Sequence, residues 1–259
     1  MPRRARLKSR SKIYHVIWRG ANRQEIFHDD EDHMRFLDTI DRYRLESEAT
    51  IYAWCLMSNH VHLLVREGNE DISATMKRIG VSYVSYYNLK YRTTGHLFQD
   101  RFRSENVESK RYFLTVIRYI HQNPTKAGIV VNSEDWIWSS CAGYYGNAIY
   151  PPKMLDCDLA FSQFSEDTDT ARTRFIEFNK TINNDRCLEG EPFQRRRISD
   201  EEARGEIKKL LGEMEIAQVK SLPRLRRNEI LREVKQIKGI SQRQAARILG
   251  VSVNLIFKA

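Results

Sequence analysis

The pattern of hydrophobic positions between residues 12 and 107 predicts four extended segments. They are rich in β-branched and aromatic residues, as buried strands are. The segments are KIYHVIWRG (12–20), TIYAWCLM (50–57), HVHLLVR (60–66) and HLFQDRFRSENV (96–107). Ser58 and Asn59 form a tight turn between the second and the third, and the fourth is predicted to be a hairpin or a bent strand.

Three further segments have the 3.6-residue periodicity of amphipathic helices. They are DDEDHMRFLDTIDRYRLES (29–47), DISATMKRIGVSYVSYYNLKYR (71–92) and a stretch from about 110 to 122. Ser109 is a suitable N-cap for the third helix, and Pro124 is predicted to end it because the residue before a proline avoids the helical region. The order βαββαβ followed by a helix predicts an α+β fold with a ferredoxin-like sheet.

Beyond residue 150 the periodicity weakens and then returns as an all-helical pattern. A short helix is predicted at about 168–180. Further helices are predicted at about 199–213, 222–238, 242–249 and 253–258. The expected organisation is a domain at 1–150, a connector with short helices at 151–195 and a basic helical domain at 196–259.

Charge is concentrated at the two ends of the chain, whose formal net charge is +9. Residues 1–12 carry six basic and no acidic side chains, and residues 194–259 carry 16 basic and 8 acidic ones. The residues between them are net acidic. This distribution suggests a polyanionic partner that contacts both ends, with a solubilising surplus of charge as the alternative.

Cysteine usage and hydropathy exclude several classes of protein. The four cysteines are scattered without a CxxC pair, which excludes a zinc ribbon and disfavours a disulfide framework in a chain of this length. The basic N-terminal residues are not followed by the apolar stretch of a signal peptide. Because no apolar run is long enough to span a bilayer, we expect a cytoplasmic protein without membrane contact.

Two histidines lie one residue apart in the third extended segment. Residues i and i+2 of a strand point to the same face, so His60 and His62 project together while Val61 and Leu63 point into a core. Two imidazoles that converge from one strand can share a divalent cation. The alternative is a pair of solvated or hydrogen-bonded histidines, because an HxH pattern alone is a weak signal.

The helix after the last strand adds a phenol. Tyr119 and Asn123 are four residues apart and share a helical face. A phenol and a neutral ligand opposite two histidines suit phosphoryl transfer, with the tyrosine as nucleophile and a cation polarising the phosphodiester. Tyr112, two helical turns earlier, is the next candidate for the nucleophile. His121 and Gln122 are alternatives for the third ligand, since Asn123 could instead cap the helix.

Five ordered segments resemble the single-tyrosine HUH transposases, in particular the REP-associated tyrosine transposases of the IS200-like family. They are YHVIWRGANRQEIF (14–27), YAWCLMSNHVHLLV (52–65), GHLFQDRFRSENV (95–107), YFLTVIRYIHQNPTKAGIV (112–130) and WIWSS (136–140). The resemblance implies a ferredoxin-like fold and Mg²⁺ or Mn²⁺ as cofactor. It also implies Tyr119 as nucleophile and His60, His62 and Asn123 as metal ligands.

Candidate contacts to DNA lie near these motifs and in the tail. They are Arg19, Asn22 and Arg23 after the first strand, Arg101 and Arg103, which alternate on the last strand, and Asn254 and Lys258 in the final helix. Surface charge is the alternative for the arginines. The tail sequence SQRQAARILGVSVNLIFKA (241–259) resembles a helix-turn-helix, in which the final helix enters the major groove. A helical protein–protein module is the alternative for the tail.

The predicted function is that of a transposase-type DNA endonuclease and strand transferase. Its expected substrate is single-stranded DNA or a hairpin such as a repeated palindrome, cut through a covalent 5′-phosphotyrosine by a monomer or homodimer at the bacterial nucleoid. A non-catalytic DNA-binding regulator derived from a transposase is one alternative, although His60, His62 and Tyr119 together favour catalysis. A metal-dependent RNA or nucleotide hydrolase is the other, and it would form no covalent adduct.

Overall fold

The computed structural model describes residues 7–21, 24–183, 185, 187–188, 200–237 and 239–259. The chain divides into two compact units, Met1–Leu188 and Glu189–Ala259. Two predicted DNA contacts, Asn22 and Arg23, lie outside the described residues. Over the ranges that the structure does describe, no helix combines the length and the apolar character needed to cross a membrane.

Strands and helices of the first unit follow one another as the hydrophobic pattern predicts. The strands are β1 (Ile13–Arg19), β2 (Thr50–Met57), β3 (His60–Arg66) and β4 (Arg103–Asn106). The helices are α1 (Asp30–Ser47), α2 (Ile72–Lys90), α3 (Lys110–Lys126), α4 (Cys141–Tyr144), α5 (Asp158–Phe161) and α6 (Thr168–Lys180), with a 3-10 helix at Ser133–Asp135. The order βαββαβ followed by a helix is confirmed.

The four strands form one sheet in the order β2-β3-β1-β4, and every neighbouring pair is antiparallel. The fourth extended segment is shorter than predicted, because its first half contributes an isolated bridge between Phe98 and Gly20 and regular pairing begins at Arg103. Arg101 therefore lies in a bend before β4. The prediction that Arg101 and Arg103 alternate on one strand is wrong.

Helix α3 continues past Pro124, so the prediction that this proline ends the helix is also wrong. A proline has no N–H, and the carbonyl of Ile120 consequently loses its usual helical donor. The side-chain amide of Asn123 compensates, because its Nδ2 lies 2.9 Å from the carbonyl oxygen of Tyr119 and 3.4 Å from that of Ile120. A side chain thus supports the helix where the proline interrupts its backbone hydrogen bonds.

The sheet separates two hydrophobic layers. One face packs against α1 and α2, with Trp18 and Leu63 among its buried side chains. The other face packs against α3 and the helices that follow it. Phe161 of α5 and Phe175 of α6 are buried in this second layer, so the segment after residue 150 contributes core to the first unit.

The second unit is a small helical bundle with its own core. Its described helices are α7 (Asp200–Leu211), α8 (Arg224–Gln236), α9 (Gln242–Leu249) and α10 (Val253–Lys258), with a 3-10 helix at Ile216–Ser221. Ser241 caps α9 by accepting a hydrogen bond from the Gln244 amide, and Gly250 ends that helix with φ of 65°. Ser252 caps α10 in the same way. These boundaries agree with the sequence pattern.

Candidate active site

Strand β3 places His60 and His62 on the sheet face that α3 covers. Their ring centroids lie 5.0 Å apart, so the imidazoles converge as strand geometry predicts. His60 Nδ1 lies 2.6 Å from Oδ1 of Asn59, and His62 Nδ1 lies 3.1 Å from Nε2 of His15. Both rings are held through Nδ1, so Nε2 is the nitrogen that each could offer to a cation.

His15 and Glu105 complete a polar group that sequence reasoning missed. They lie opposite each other on β1 and β4, and His15 Nδ1 is 3.0 Å from Oε1 of Glu105. His15 is fully buried and its ring stacks on that of His62, with centroids 5.3 Å apart. A signal was present in the sequence: His15 interrupts the apolar run of the first strand.

Tyr119 of α3 packs against His62 and His15. Its ring meets those of His62 and His15 edge-on, at centroid distances of 5.7 and 6.0 Å. The ammonium group of Lys126, two turns later on the same helix, lies 5.3 Å from the centroid of the Tyr119 ring. A cation in this position stabilises negative charge that develops on a phenol. The structure therefore brings together the predicted nucleophile and both predicted histidine ligands.

Tyr112, the alternative nucleophile, is hydrogen-bonded to Glu105. Its hydroxyl donates a hydrogen bond of 2.7 Å to Oε1 of that carboxylate. Burial raises the pKa of Tyr112, and the hydrogen bond to Glu105 raises it further. A phenol with a raised pKa is a poorer source of the phenolate nucleophile. The geometry favours Tyr119 over Tyr112.

Asn123, the predicted third ligand, lies one turn after Tyr119 and is buried. Both groups that its side chain contacts on α3 are carbonyl oxygens, so the amide must present its nitrogen to the helix. Oδ1 is then the atom that could coordinate a cation. This arrangement is compatible with the ligand role and adds a helical role that the sequence pattern did not reveal.

The alternatives to Asn123 make other contacts. His121 is fully buried, with Nε2 at 2.9 Å from the Ser140 hydroxyl and Nδ1 at 3.3 Å from Oδ1 of Asn179. Burial lowers the pKa of His121 to about 3, partly offset by the hydrogen bond to Asn179. Gln122 donates to the backbone carbonyls of Asn179 and Thr181. Both side chains connect α3 to the segment around the end of α6.

The predicted DNA contacts fall in three places. Arg19 is half-buried at the end of β1, directly opposite His60, and exposed Arg103 pairs with Ile17 on the same sheet face. Arg101 is exposed in the bend before β4. In the second unit Asn254 and Lys258 are exposed and four residues apart on α10. Arg19 and Arg103 are thus the two that share a face with the histidines.

The donor set suits an open cation site. Within the described residues, no three His, Cys, Asp or Glu side chains are grouped to hold a metal ion. An ion between His60 and His62 would need oxygen ligands such as the amide of Asn123, water or a substrate phosphate. Mg²⁺ commonly combines a few protein ligands with water and substrate phosphates. The residues present therefore fit a divalent cation that also contacts substrate.

A comparison with family models identifies the segment that contains these residues. Residues 8–123 match the family described as "Transposase IS200 like". This segment is an IS200-like transposase domain. It contains His15, His60, His62, Tyr119 and Asn123, and the resemblance drawn from the five sequence motifs is confirmed over this range.

Two individual proteins are similar to parts of the chain. The REP-associated tyrosine transposase of Escherichia coli (strain K12) is 26% identical over 103 residues, which cover 39% of this chain and 59% of that protein. A solved structure of a REP-associated tyrosine transposase bound to a REP hairpin aligns with a TM-score of 0.49 and 19% identity, covering 58% of this chain and 89% of that one. The alignment with the Escherichia coli protein therefore spans less than two thirds of that protein's length.

Proposed function

We propose that this protein is a DNA endonuclease and strand transferase that uses Tyr119 as a covalent nucleophile. The observation that carries the proposal is the edge-on contact of Tyr119 with His62, 5.7 Å between centroids, inside an IS200-like transposase domain. A regulator that only binds DNA would have no need for a phenol over a convergent histidine pair. The non-catalytic alternative is therefore not favoured.

In the proposed reaction, Oη of Tyr119 attacks the phosphorus of a phosphodiester in single-stranded or hairpin DNA. The Oη–P bond forms while the P–O3′ bond breaks, which leaves a 5′-phosphotyrosine and a free 3′ end. The phenol loses its proton, and the departing 3′ oxygen takes one up. Because a phenol has a reference pKa near 10, the positive charge of Lys126 near the ring favours its deprotonation. Reversal with a new 3′-OH rejoins the strand.

His60, His62 and Asn123 would hold Mg²⁺ or Mn²⁺ through Nε2 of each histidine and Oδ1 of the amide. A divalent cation bound there would polarise the phosphodiester and stabilise negative charge on its oxygens. Arg19 and Arg103 extend the same face and would contact the DNA backbone on either side of the reacting phosphate. The sheet order with antiparallel neighbours supports the ferredoxin-like assignment.

The second unit would supply additional affinity for DNA. Helices α9 and α10, separated by Gly250 in the left-handed conformation, support the helix-turn-helix interpretation. We propose that residues 196–259 form the DNA-binding domain and that the catalytic chemistry lies within 1–150. The exposed Asn254 and Lys258 would face the nucleic acid.

Substitution of Tyr119 by Phe tests the nucleophile. The variant should fold and bind DNA, yet form no covalent protein–DNA band on a denaturing gel with a labelled hairpin oligonucleotide and Mn²⁺. Tyr150→Phe is the matched control, since Tyr150 bonds Asp38 on the surface and its variant should form the adduct normally. An adduct that persists in Tyr119→Phe would contradict the proposal, and combining it with Tyr112→Phe would then test Tyr112.

Truncation after residue 195 tests the role of the second unit. It keeps all of the compact first unit, so the adduct should still form on a short oligonucleotide at saturating protein. Binding to longer duplex DNA should weaken, and the plot of log affinity against log salt should become shallower by about 0.9 for each phosphate that the protein no longer neutralises. A truncated protein with the full-length salt dependence would exclude DNA binding by the tail.

A further inference from the structure

A chain of hydrogen bonds connects a carboxylate to the buried histidine of the proposed metal site. Glu105 on β4 contacts His15 on β1, and His15 contacts His62 on β3, at 3.0 and 3.1 Å. All three side chains lie on the face covered by α3. These hydrogen bonds therefore cross three adjacent strands, and they end at His62, a proposed metal ligand.

Glu105 determines which atom donates in each of these hydrogen bonds. Its Oε1 accepts from the Tyr112 hydroxyl at 2.7 Å and from the Leu188 amide at 2.9 Å, in addition to its contact with His15. Burial alone would raise the pKa of Glu105, but the hydrogen bonds from His15 and Tyr112 outweigh burial and lower it. An ionised carboxylate only accepts hydrogen bonds. The proton in its contact with His15 must therefore lie on Nδ1 of the histidine.

The proton on Nδ1 of His15 determines where the proton lies in the contact between His15 and His62. When His15 is in its neutral form, the proton on Nδ1 leaves Nε2 as an acceptor. Nε2 of His15 faces Nδ1 of His62, so the proton in this second contact belongs to Nδ1 of His62. Nε2 of His62 then carries the lone pair that a metal ligand must provide. The opposite tautomer would place a proton where the cation has to bind.

We propose that Glu105 and His15 are positioning residues that hold His62 in the tautomer able to bind a divalent cation through Nε2. This inference rests on the proposed function of the His60–His62 pair. The adjacent Asn59 holds His60 in the same tautomer, since Oδ1 of Asn59 lies 2.6 Å from Nδ1 of His60. The half-buried His60 thus uses a neighbouring side chain, and the buried His62 uses a relay from the edge strand.

Nitrogen NMR on protein labelled with ¹⁵N-histidine tests the tautomer directly. In the native protein without metal, at a pH where both imidazoles are neutral, we expect protonated Nδ1 and unprotonated Nε2 for both His15 and His62. In Glu105→Gln, a neutral amide replaces the anionic acceptor, and the Nε2–H tautomer of His62 should become populated. A native spectrum with a proton on Nε2 of His62 would overturn the proposal without any variant.

Calorimetric titration of Mn²⁺ into the full-length protein supplies the second measurement. Glu105→Gln and His15→Phe should each weaken Mn²⁺ affinity about 10- to 100-fold, the usual effect of losing the partner of a metal-bound histidine. Glu108→Gln is the matched control, because Glu108 also accepts backbone hydrogen bonds, from Arg10 and Ser11, without contacting a histidine. Its Mn²⁺ affinity should match the native value.

The outcomes separate this inference from the proposed function. Native Mn²⁺ affinity in folded Glu105→Gln and His15→Phe would overturn the relay and leave the transposase chemistry intact. A native protein that binds no Mn²⁺ would contradict the metal site itself, and with it the purpose assigned to the relay. The predicted tautomers in the native spectrum together with selective loss of affinity in the two relay variants would support the inference.

Discussion

The two faces of the sheet differ in what they bury. Towards α1 and α2, strands β1, β2 and β3 present apolar side chains such as Trp54 and Leu63, both fully enclosed. Towards α3, the same strands bury His15 and His62 completely. Because alternate residues of a strand point to opposite faces, adjacent positions such as His62 and Leu63 serve different purposes. One face supplies the stability that allows the other to bury polar groups.

Burying those polar groups is tolerated because they are paired. A buried polar group without a hydrogen-bond partner costs free energy on the order of 1–3 kcal/mol. On the α3 face, His15 contacts Glu105 through one nitrogen and His62 through the other. The site is therefore a hydrogen-bonded network supported by an apolar layer, and the two histidines of the HxH motif are only part of it.

Burial of a histidine does not by itself make a functional site. His121 lies in the same layer and is as deeply buried as His62, but its partners are the neutral Ser140 and Asn179. Its lowered pKa keeps it uncharged. His62 is instead connected to a carboxylate through His15. The connection to an acidic group distinguishes the proposed metal ligand from a structural histidine.

The largest expected difference is between separate alanine substitutions of two adjacent residues of β3, Leu63 and His62. Leu63→Ala should lower the free energy of unfolding by about 2–5 kcal/mol, as truncation of a buried leucine does, while the folded variant keeps its Mn²⁺ affinity. His62→Ala should abolish measurable Mn²⁺ binding. Urea unfolding and calorimetry on both variants test this. Unchanged Mn²⁺ affinity in His62→Ala would defeat the metal assignment.

The second test uses the structural histidine. The pKa of His121 falls from a reference value near 6.5 to about 3 on folding, so between these values the unfolded chain binds a proton that the folded protein does not. The free energy of unfolding should therefore decrease with falling pH, by up to ~1.4 kcal/mol per pH unit from this group. The effect is absent above pH 7 and complete below about pH 3.

His121→Gln isolates that contribution from those of the carboxylates. Urea unfolding at pH 7 and pH 4.5 gives the free energy of unfolding of both proteins. From pH 7 to pH 4.5, the value for the native protein should fall by about 2–3 kcal/mol more than the value for His121→Gln. Parallel pH profiles would mean that His121 becomes protonated in the folded state, and the contrast drawn with His62 would lose its basis.

The smallest expected effect concerns Asn123. Asn123→Ala removes the amide that donates to the carbonyls of Tyr119 and Ile120, and should cost about 1 kcal/mol of stability. Its Mn²⁺ affinity should fall less than that of His62→Ala, because water can replace a neutral amide oxygen. Calorimetry and urea unfolding measure the two effects. A loss of affinity as large as that of His62→Ala would make Asn123 an essential ligand.

Local patterns in the sequence determined most of the elements. The two strands before and after Ser58 were predicted to the residue, since apolar runs and turn residues act over short distances. Helix α3 was predicted to end too early, because the rule for proline is statistical and ignores a side chain that restores the lost hydrogen bond. The HxH spacing and the position of Tyr119 indicated the chemistry, and the motif order indicated the family.

Tertiary structure alone decided which residues joined that chemistry. His15, Glu105 and Tyr112 are far from His62 in sequence. Antiparallel pairing of β1 with β3 and β4 brings His15 beside His62 and Glu105 beside His15. Periodicity reports which face a residue occupies but not which residue of another strand lies opposite. Strand register, set by the packing of the whole sheet, fixes those neighbours, and so Glu105 and His15 became visible only in the folded protein.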